Sequence, residues 1–187
     1  MRSHSEVALS NFTIRNINAL GVLALSVVLA IGFWLQFTLH ELPCPLCLLQ
    51  RVGFVLVMYG FMLNVVRGLA FAHYGVILLG ALFGAGAATR QVLLHIVPGT
   101  GSYGSPIMGL HFYTWSLIIF TASILSVALL MVLSRQNYLN EKIVVSKPQK
   151  FICWVAIMIT ALNAAAVFIE CGPYVCPENP ASYLLLG

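Results

Sequence analysis

The chain has 187 residues, of which 60% are hydrophobic and 7% charged; a soluble domain carries roughly 25% charged residues. That balance excludes an ordinary soluble fold and describes an integral membrane protein, whose apolar runs are helices because helices satisfy their own backbone polar groups. The formal charge of +4 does not point to nucleic acid, because the basic residues are scattered near predicted helix ends rather than clustered. The length suits one helical unit rather than two domains.

Five spanning segments are predicted, at about 17–38, 48–66, 74–97, 111–133 and 151–169, each near the roughly 20 residues that a bilayer requires. The expected fold is an all-α membrane protein, a four-helix core with an added fifth transmembrane helix and a cysteine-containing tail over 170–187. The first segment has the basic flank of a signal peptide, but its apolar run is too long and no small-x-small cleavage site follows, so it reads as a retained helix.

Before the second segment stands Cys44-Pro45-Leu46-Cys47. Pro45 suits a first helical position, which puts Cys44 near the cap and Cys47 in the first turn. Backbone N–H groups and the helix dipole there favour a thiolate. Arg51 follows Cys47 by four residues, on the same helical face, where it can stabilise a thiolate or the negative charge of a reduced acceptor. In the third segment Gly80, Gly84 and Gly86 suit close helix packing. Arg90 lies about two turns before Pro98. An intramembrane arginine is a functional-site hypothesis by default, with outward snorkelling as the alternative. Gln91 and His95 are its neighbours in sequence. In the fifth segment Cys153 reads as a packed small hydrophobe. Beyond it, Cys171-Gly-Pro-Tyr-Val-Cys176 can close a small loop, with Gly172 and Pro173 as turn residues.

Orientation follows from Lys and Arg. With the N-terminus in the cytoplasm, Arg2, Arg15, Arg67, Arg135, Lys142, Lys147 and Lys150 fall inside and only Arg51 and Arg90 outside. Tyr74, Tyr138 and Trp154 then lie near the inner boundary, and Trp34, Tyr113, Trp115 and Tyr174 near the outer one. Both close cysteine pairs face the outer, oxidising compartment. Glu170 and Glu178 flank the tail pair and disfavour thiolates, whereas Arg51 and the helix start favour them at the first pair. This predicts electron flow from Cys171/Cys176 toward Cys44/Cys47, although Glu41 near the first pair opposes it. Three other readings stay open on the residues alone: two structural disulfides, a tail disulfide pinning the C-terminus, and a four-thiolate zinc site.

Residues 44–51, C-P-L-C-L-L-Q-R, resemble the C-x-x-C-x-x-x-R motif of the disulfide bond formation protein B (DsbB) family, bacterial inner-membrane thiol oxidases. Residues 90–98, R-Q-V-L-L-H-I-V-P, are similar to the end of that family's third helix, and 109–115, G-L-H-F-Y-T-W, to its fourth-helix entrance. The resemblance covers about 17–133. It implies an enzyme that oxidises a periplasmic thioredoxin-like partner, DsbA, and passes electrons to ubiquinone or menaquinone in the lipid. By motif matching, Cys47 meets the quinone, Arg51 stabilises the resulting charge and Cys44 exchanges with the second pair. Arg90 and His95 are candidate quinone contacts, His95 as a donor to a quinone carbonyl. The departure lies in the loop at about 98–109, where the family carries its second pair and this chain has no cysteine. Cys171 and Cys176 are expected to replace it. A variant with a restricted client, or one running toward reduction, is the close alternative. The vitamin K epoxide reductases, whose C-x-x-C comes late in the bundle, rank lower.

Overall fold

The computed structural model describes residues 11–39, 41–97, 99, 101–102, 104–133, 144–173, 176 and 182–185. They form five helices, α1 (Asn11–Thr38), α2 (Pro45–Arg67), α3 (Phe71–Leu94), α4 (Phe112–Leu133) and α5 (Lys147–Cys171). Each is long and apolar enough to cross a membrane. Among the described residues there is no strand, only a single bridge between Ile107 and Leu110 in the α3–α4 connection. Helix α2 is the hub. It packs against α1, α3, α4 and α5, while α3 also packs on α4 and α5 on α1.

Local sequence explains where the helices start and stop. Pro45 is the first residue of α2, and the Cys44 sulfur caps it by accepting the Cys47 N–H at 3.2 Å. Helix α5 starts four residues before the expected 151, because Ser146 and Gln149 form a capping box and Pro148 is tolerated in a first turn. Helix α1 also starts earlier than the expected 17. Its polar first turns are held by packing: Arg15 donates to the Val65 carbonyl at 2.9 Å, and the Gln149 amide donates to Asn16 at 2.9 Å. Helix α3 ends at Leu94 rather than at 97. The His95 N–H turns back to the Val92 carbonyl at 3.1 Å, and Pro98 disfavours helix in the residue before it.

The glycines show why α2 can sit at the centre. A Cβ on Gly53 would lie 2.8 Å from the Gly84 Cα, and one on Gly80 would lie 2.7 Å from the Leu56 Cβ. A Cβ on Gly84 would collide with the Phe120 ring, which stacks on Phe54 at 4.3 Å between centroids. Small residues therefore let α2, α3 and α4 approach at one level, the packing that replaces the hydrophobic drive inside lipid. Gly86 differs from the expectation, since a Cβ there would meet nothing within 4 Å. We predict that Gly84→Ala and Gly53→Ala each destabilise the bundle by about 1–3 kcal/mol through overpacking. Gly86→Ala should leave the midpoint of thermal unfolding in detergent within the error of the wild type.

Candidate thiol and cation site

The ends of α1, α3 and α5 and the starts of α2 and α4 meet at one end of the bundle. There Cys44 and Cys47 form a disulfide with a Cα–Cα distance of 5.0 Å. The two sulfurs are not equivalent. Cys44 is 7% exposed, while half-buried Cys47 lines a cavity between α1, α2 and α4. Val28, Leu29, Leu35, Phe54 and Phe112 supply apolar walls, and Gln36, Arg51 and Gln91 supply polar groups. Buried Gln91, on α3, aims its amide nitrogen at both sulfurs, 3.3 Å from Cys44 and 3.4 Å from Cys47. Its carbonyl is in turn held by the Gln50 amide at 2.7 Å. The disulfide thus rests on two backbone-positioned helices and a fixed amide donor.

Arg51 is anchored toward α1. One guanidinium nitrogen donates to the Gln36 carbonyl oxygen at 2.8 Å and another to the Gly32 carbonyl at 3.2 Å. The Gln36 amide nitrogen donates to Glu170 Oε2 at 3.3 Å, linking half-buried Arg51 on α2 to buried Gln36 on α1 and buried Glu170 on α5. Glu170 immediately precedes Cys171, which is buried and bonded to half-buried Cys176 with a Cα–Cα distance of 4.8 Å. Helix α5 stops there because Gly172 adopts φ +60°, a left-handed conformation suited to glycine, and returns its N–H to the Phe168 carbonyl at 2.8 Å. Residues 183–185 lie back against this end. Leu184 and Leu185 donate to the Glu170 and Ile169 carbonyls, both at 3.1 Å, and Tyr183 stacks on Phe37. Across the cavity, Glu41 accepts from the Ser105 N–H at 2.9 Å and from its hydroxyl, tying the α1–α2 connection to the α3–α4 connection.

Of the residues expected from sequence, Cys44, Cys47 and Arg51 come together as their spacing predicts. Cys171 and Cys176 lie at the same end of the bundle. Arg90 does not join them; it is exposed on α3 and outside the cavity lining. His95 is also outside the lining, but it stacks on Tyr113, which belongs to the lining, at 5.5 Å. Gln36, Gln50, Gln91 and Glu170 were not singled out as site residues. The available signal was polarity, since each is an amide or carboxyl within a segment otherwise apolar enough to span a membrane. Cys153 is free and buried near the other end.

Membrane-length helices that carry a C-x-x-C disulfide at a helix start, above an apolar cavity holding an arginine, define a membrane thiol–disulfide protein. Comparison with known proteins agrees. Residues 14–105 match the family model described as Disulfide bond formation protein DsbB. The chain is 38% identical over 87 residues to Disulfide bond formation protein B of Polaromonas sp., covering 45% of this chain and 52% of that protein. It is 41% identical over 75 residues to the protein of that name from Chromobacterium violaceum, covering 37% and 45% of the two chains. With the one from Xanthomonas euvesicatoria pv. vesicatoria it shares 37% over 84 residues, covering 42% and 49%. The chain thus spans about half the length of the curated relatives it matches, and the resemblance to the DsbB family stands over the part holding α1 to α3 and both C-x-x-C cysteines. No solved structure matches the chain.

The Gln91 amide should matter most when the disulfide is reduced, because an N–H donor stabilises a thiolate more than a disulfide sulfur. Gln91→Leu removes that donor, a loss of about 1.5 kcal/mol. The equilibrium of Cys44–Cys47 with a glutathione buffer should therefore move toward the disulfide by about tenfold. Differential alkylation followed by mass spectrometry reads the shift, and an unchanged equilibrium would remove Gln91 from the site.

Proposed function

We propose that this protein is a membrane thiol oxidase of the bacterial inner membrane. It reoxidises a periplasmic, DsbA-like thioredoxin-fold partner and delivers the electrons to a membrane quinone. The observation that carries this reading is the placement of Cys47 and Arg51 in one apolar cavity at the helix ends. The cysteine end faces the periplasm in this reading, as the distribution of Lys and Arg supports.

The chain's own chemistry follows from thiol–disulfide exchange. A partner thiolate attacks the Cys171–Cys176 disulfide and forms a mixed disulfide. The partner's second thiolate resolves it, leaving the partner oxidised and Cys171 and Cys176 as thiols. Exchange with Cys44–Cys47 restores the tail disulfide and leaves Cys44 and Cys47 reduced, holding two electrons and two protons. Cys44 is 7% exposed and Cys171 3% exposed. Attack on either sulfur from solvent therefore requires the structure around it to open. Cys47 is the cysteine presented to the cavity.

The lining suits a quinone in this reading: apolar walls would accept a ring, and Arg51 would offer a charged donor for a carbonyl oxygen. Ubiquinone or menaquinone bound there supplies the two-electron, two-proton acceptor. Arg51 would hold it and offset negative charge, and the apolar walls would exclude water. Arg90 lies off this cavity. His95 contributes in this reading by supporting the Tyr113 ring.

The test is reduction of a short-chain ubiquinone by purified protein in detergent, with a reduced DsbA-type protein as donor. Turnover is expected in the wild type and none above background in Cys47→Ser. The Cys171→Ser/Cys176→Ser protein should also fail with this donor. Turnover that survives in that double variant would make the tail disulfide structural. No turnover in the wild type would overturn the oxidase reading for this class of donor.

A further inference from the structure

We propose that Glu170 is a positioning residue for the thiol site, holding Arg51 through the Gln36 amide in the cavity that Cys47 also lines. The inference rests on the reading of Cys47 and Arg51 as the working pair, but it concerns α5, which lies outside the region that matches the DsbB family.

An arginine near a helix end in a membrane protein ordinarily snorkels, carrying its guanidinium to the polar boundary while its stem stays in apolar surroundings. Arg51 instead points to α1, where two carbonyl oxygens, of Gln36 and Gly32, receive it. The Gly32 oxygen is fixed by the backbone. The Gln36 oxygen is not: a side-chain amide can rotate and present its NH2 group to the guanidinium, which would repel it. Glu170 prevents this. Its Oε2 accepts from the Gln36 nitrogen at 3.3 Å, so the nitrogen faces α5 and the oxygen faces Arg51. Gln36 and Glu170 are each 1% exposed, so water does not compete for either end of the amide. The second carboxyl oxygen, Oε1, is buried and has no hydrogen-bond partner among the described residues. A buried carboxyl left half-satisfied is unfavourable unless something offsets it. The basic group that the hydrogen-bonded chain brings toward this carboxyl is Arg51, reached through Gln36.

Among the other described ionisable groups at this end, His95 and His111 stack on Tyr113, and His111 is also hydrogen-bonded to the Gly104 carbonyl. Glu41 is engaged with Ser105, Tyr113 lines the cavity, and Tyr183 stacks on Phe37. Only Glu170 reaches Arg51 through a hydrogen-bonded bridge among the described residues.

The experiment equilibrates the full-length protein, in detergent and without quinone, with a glutathione buffer. The oxidised fraction of the Cys44/Cys47 peptide is read by differential alkylation and mass spectrometry. Glu170→Leu and Gln36→Met should each shift the equilibrium toward the disulfide on the order of tenfold, because the reduced thiolate loses its held cation. The double variant should shift no further, since the two residues act through one contact. Glu170→Gln keeps an acceptor for the Gln36 amide while removing the charge, so it should not move toward the disulfide, and any shift should be toward the dithiol. The direction of the shift separates positioning from simple charge. Removing a nearby negative charge alone would favour the thiolate and move the equilibrium the other way. That opposite shift in Glu170→Leu, a shift of Glu170→Gln toward the disulfide, no shift in Gln36→Met, or additive shifts in the double variant would overturn the proposal. If Glu170→Leu fails to fold, Gln36→Met and Glu170→Gln decide it. Neither a partner nor a quinone is involved, so absence of oxidase turnover would leave this result standing on its own terms.

Discussion

A guanidinium among apolar helices is the constraint around which this end of the molecule is organised. An arginine in a membrane span is tolerated only where protein groups replace water around it. Arg51 is tied by sequence to Cys47, one helical turn away on α2. Its charge must therefore be met close to the disulfide rather than wherever partners are convenient. The nearest acceptors are on α1, the carbonyls of Gly32 and Gln36. Gln36 then needs an acceptor of its own, and α5 provides Glu170. Each polar group buried here calls for the next, and the chain closes only when three helices are in register.

The same logic governs the thiols. A cysteine at a helix start gains from unpaired N–H groups and from the dipole. In this structure the Cys44 sulfur takes the Cys47 N–H, and Gln91 adds a side-chain donor from α3. Gln91 is itself held by Gln50, so the donor does not have to reorganise when charge develops on sulfur. The walls of the cavity beside Cys47 are mostly apolar, which makes these few directed groups weigh more than they would in water. Close approach of α2, α3 and α4 at Gly53 and Gly84 is what brings the Gln91 level of α3 near the start of α2.

Much of this was legible in the sequence, and what was missed has a common physical cause. Long apolar runs gave five helices. Pro45 gave the start of α2, and the four-residue spacing gave the shared face of Cys47 and Arg51. Periodicity could not say where Arg90 points, because a residue's facing depends on which neighbours the helix packs against; α3 turns Gln91 inward and Arg90 outward. Nor could it reveal that Gln36 and Glu170, 134 positions apart, form one contact. A charge in an apolar stretch announces itself, whereas a glutamine does not until its partner is known. The helix starts at Asn11 and Lys147 were missed for a related reason. Polar first turns look like solvated flanks, but here they are capped by Ser146 or paired through Arg15 and Asn16.

These contacts give α5 a part beyond delivering a second disulfide. Its last turn holds two groups in succession: Glu170, turned into the bundle toward Gln36, and Cys171, bonded outward to Cys176. The returning tail binds the same turn through the Glu170 and Ile169 carbonyls. Any motion that exposes Cys171 for exchange must therefore disturb the backbone that carries Glu170. A chain with its second cysteine pair on a free loop would lack that linkage. In this chain Cys171 and the carboxyl bonded to Gln36 share one helical turn, so under the proposed exchange route opening the tail disulfide would disturb the contact that steadies Arg51.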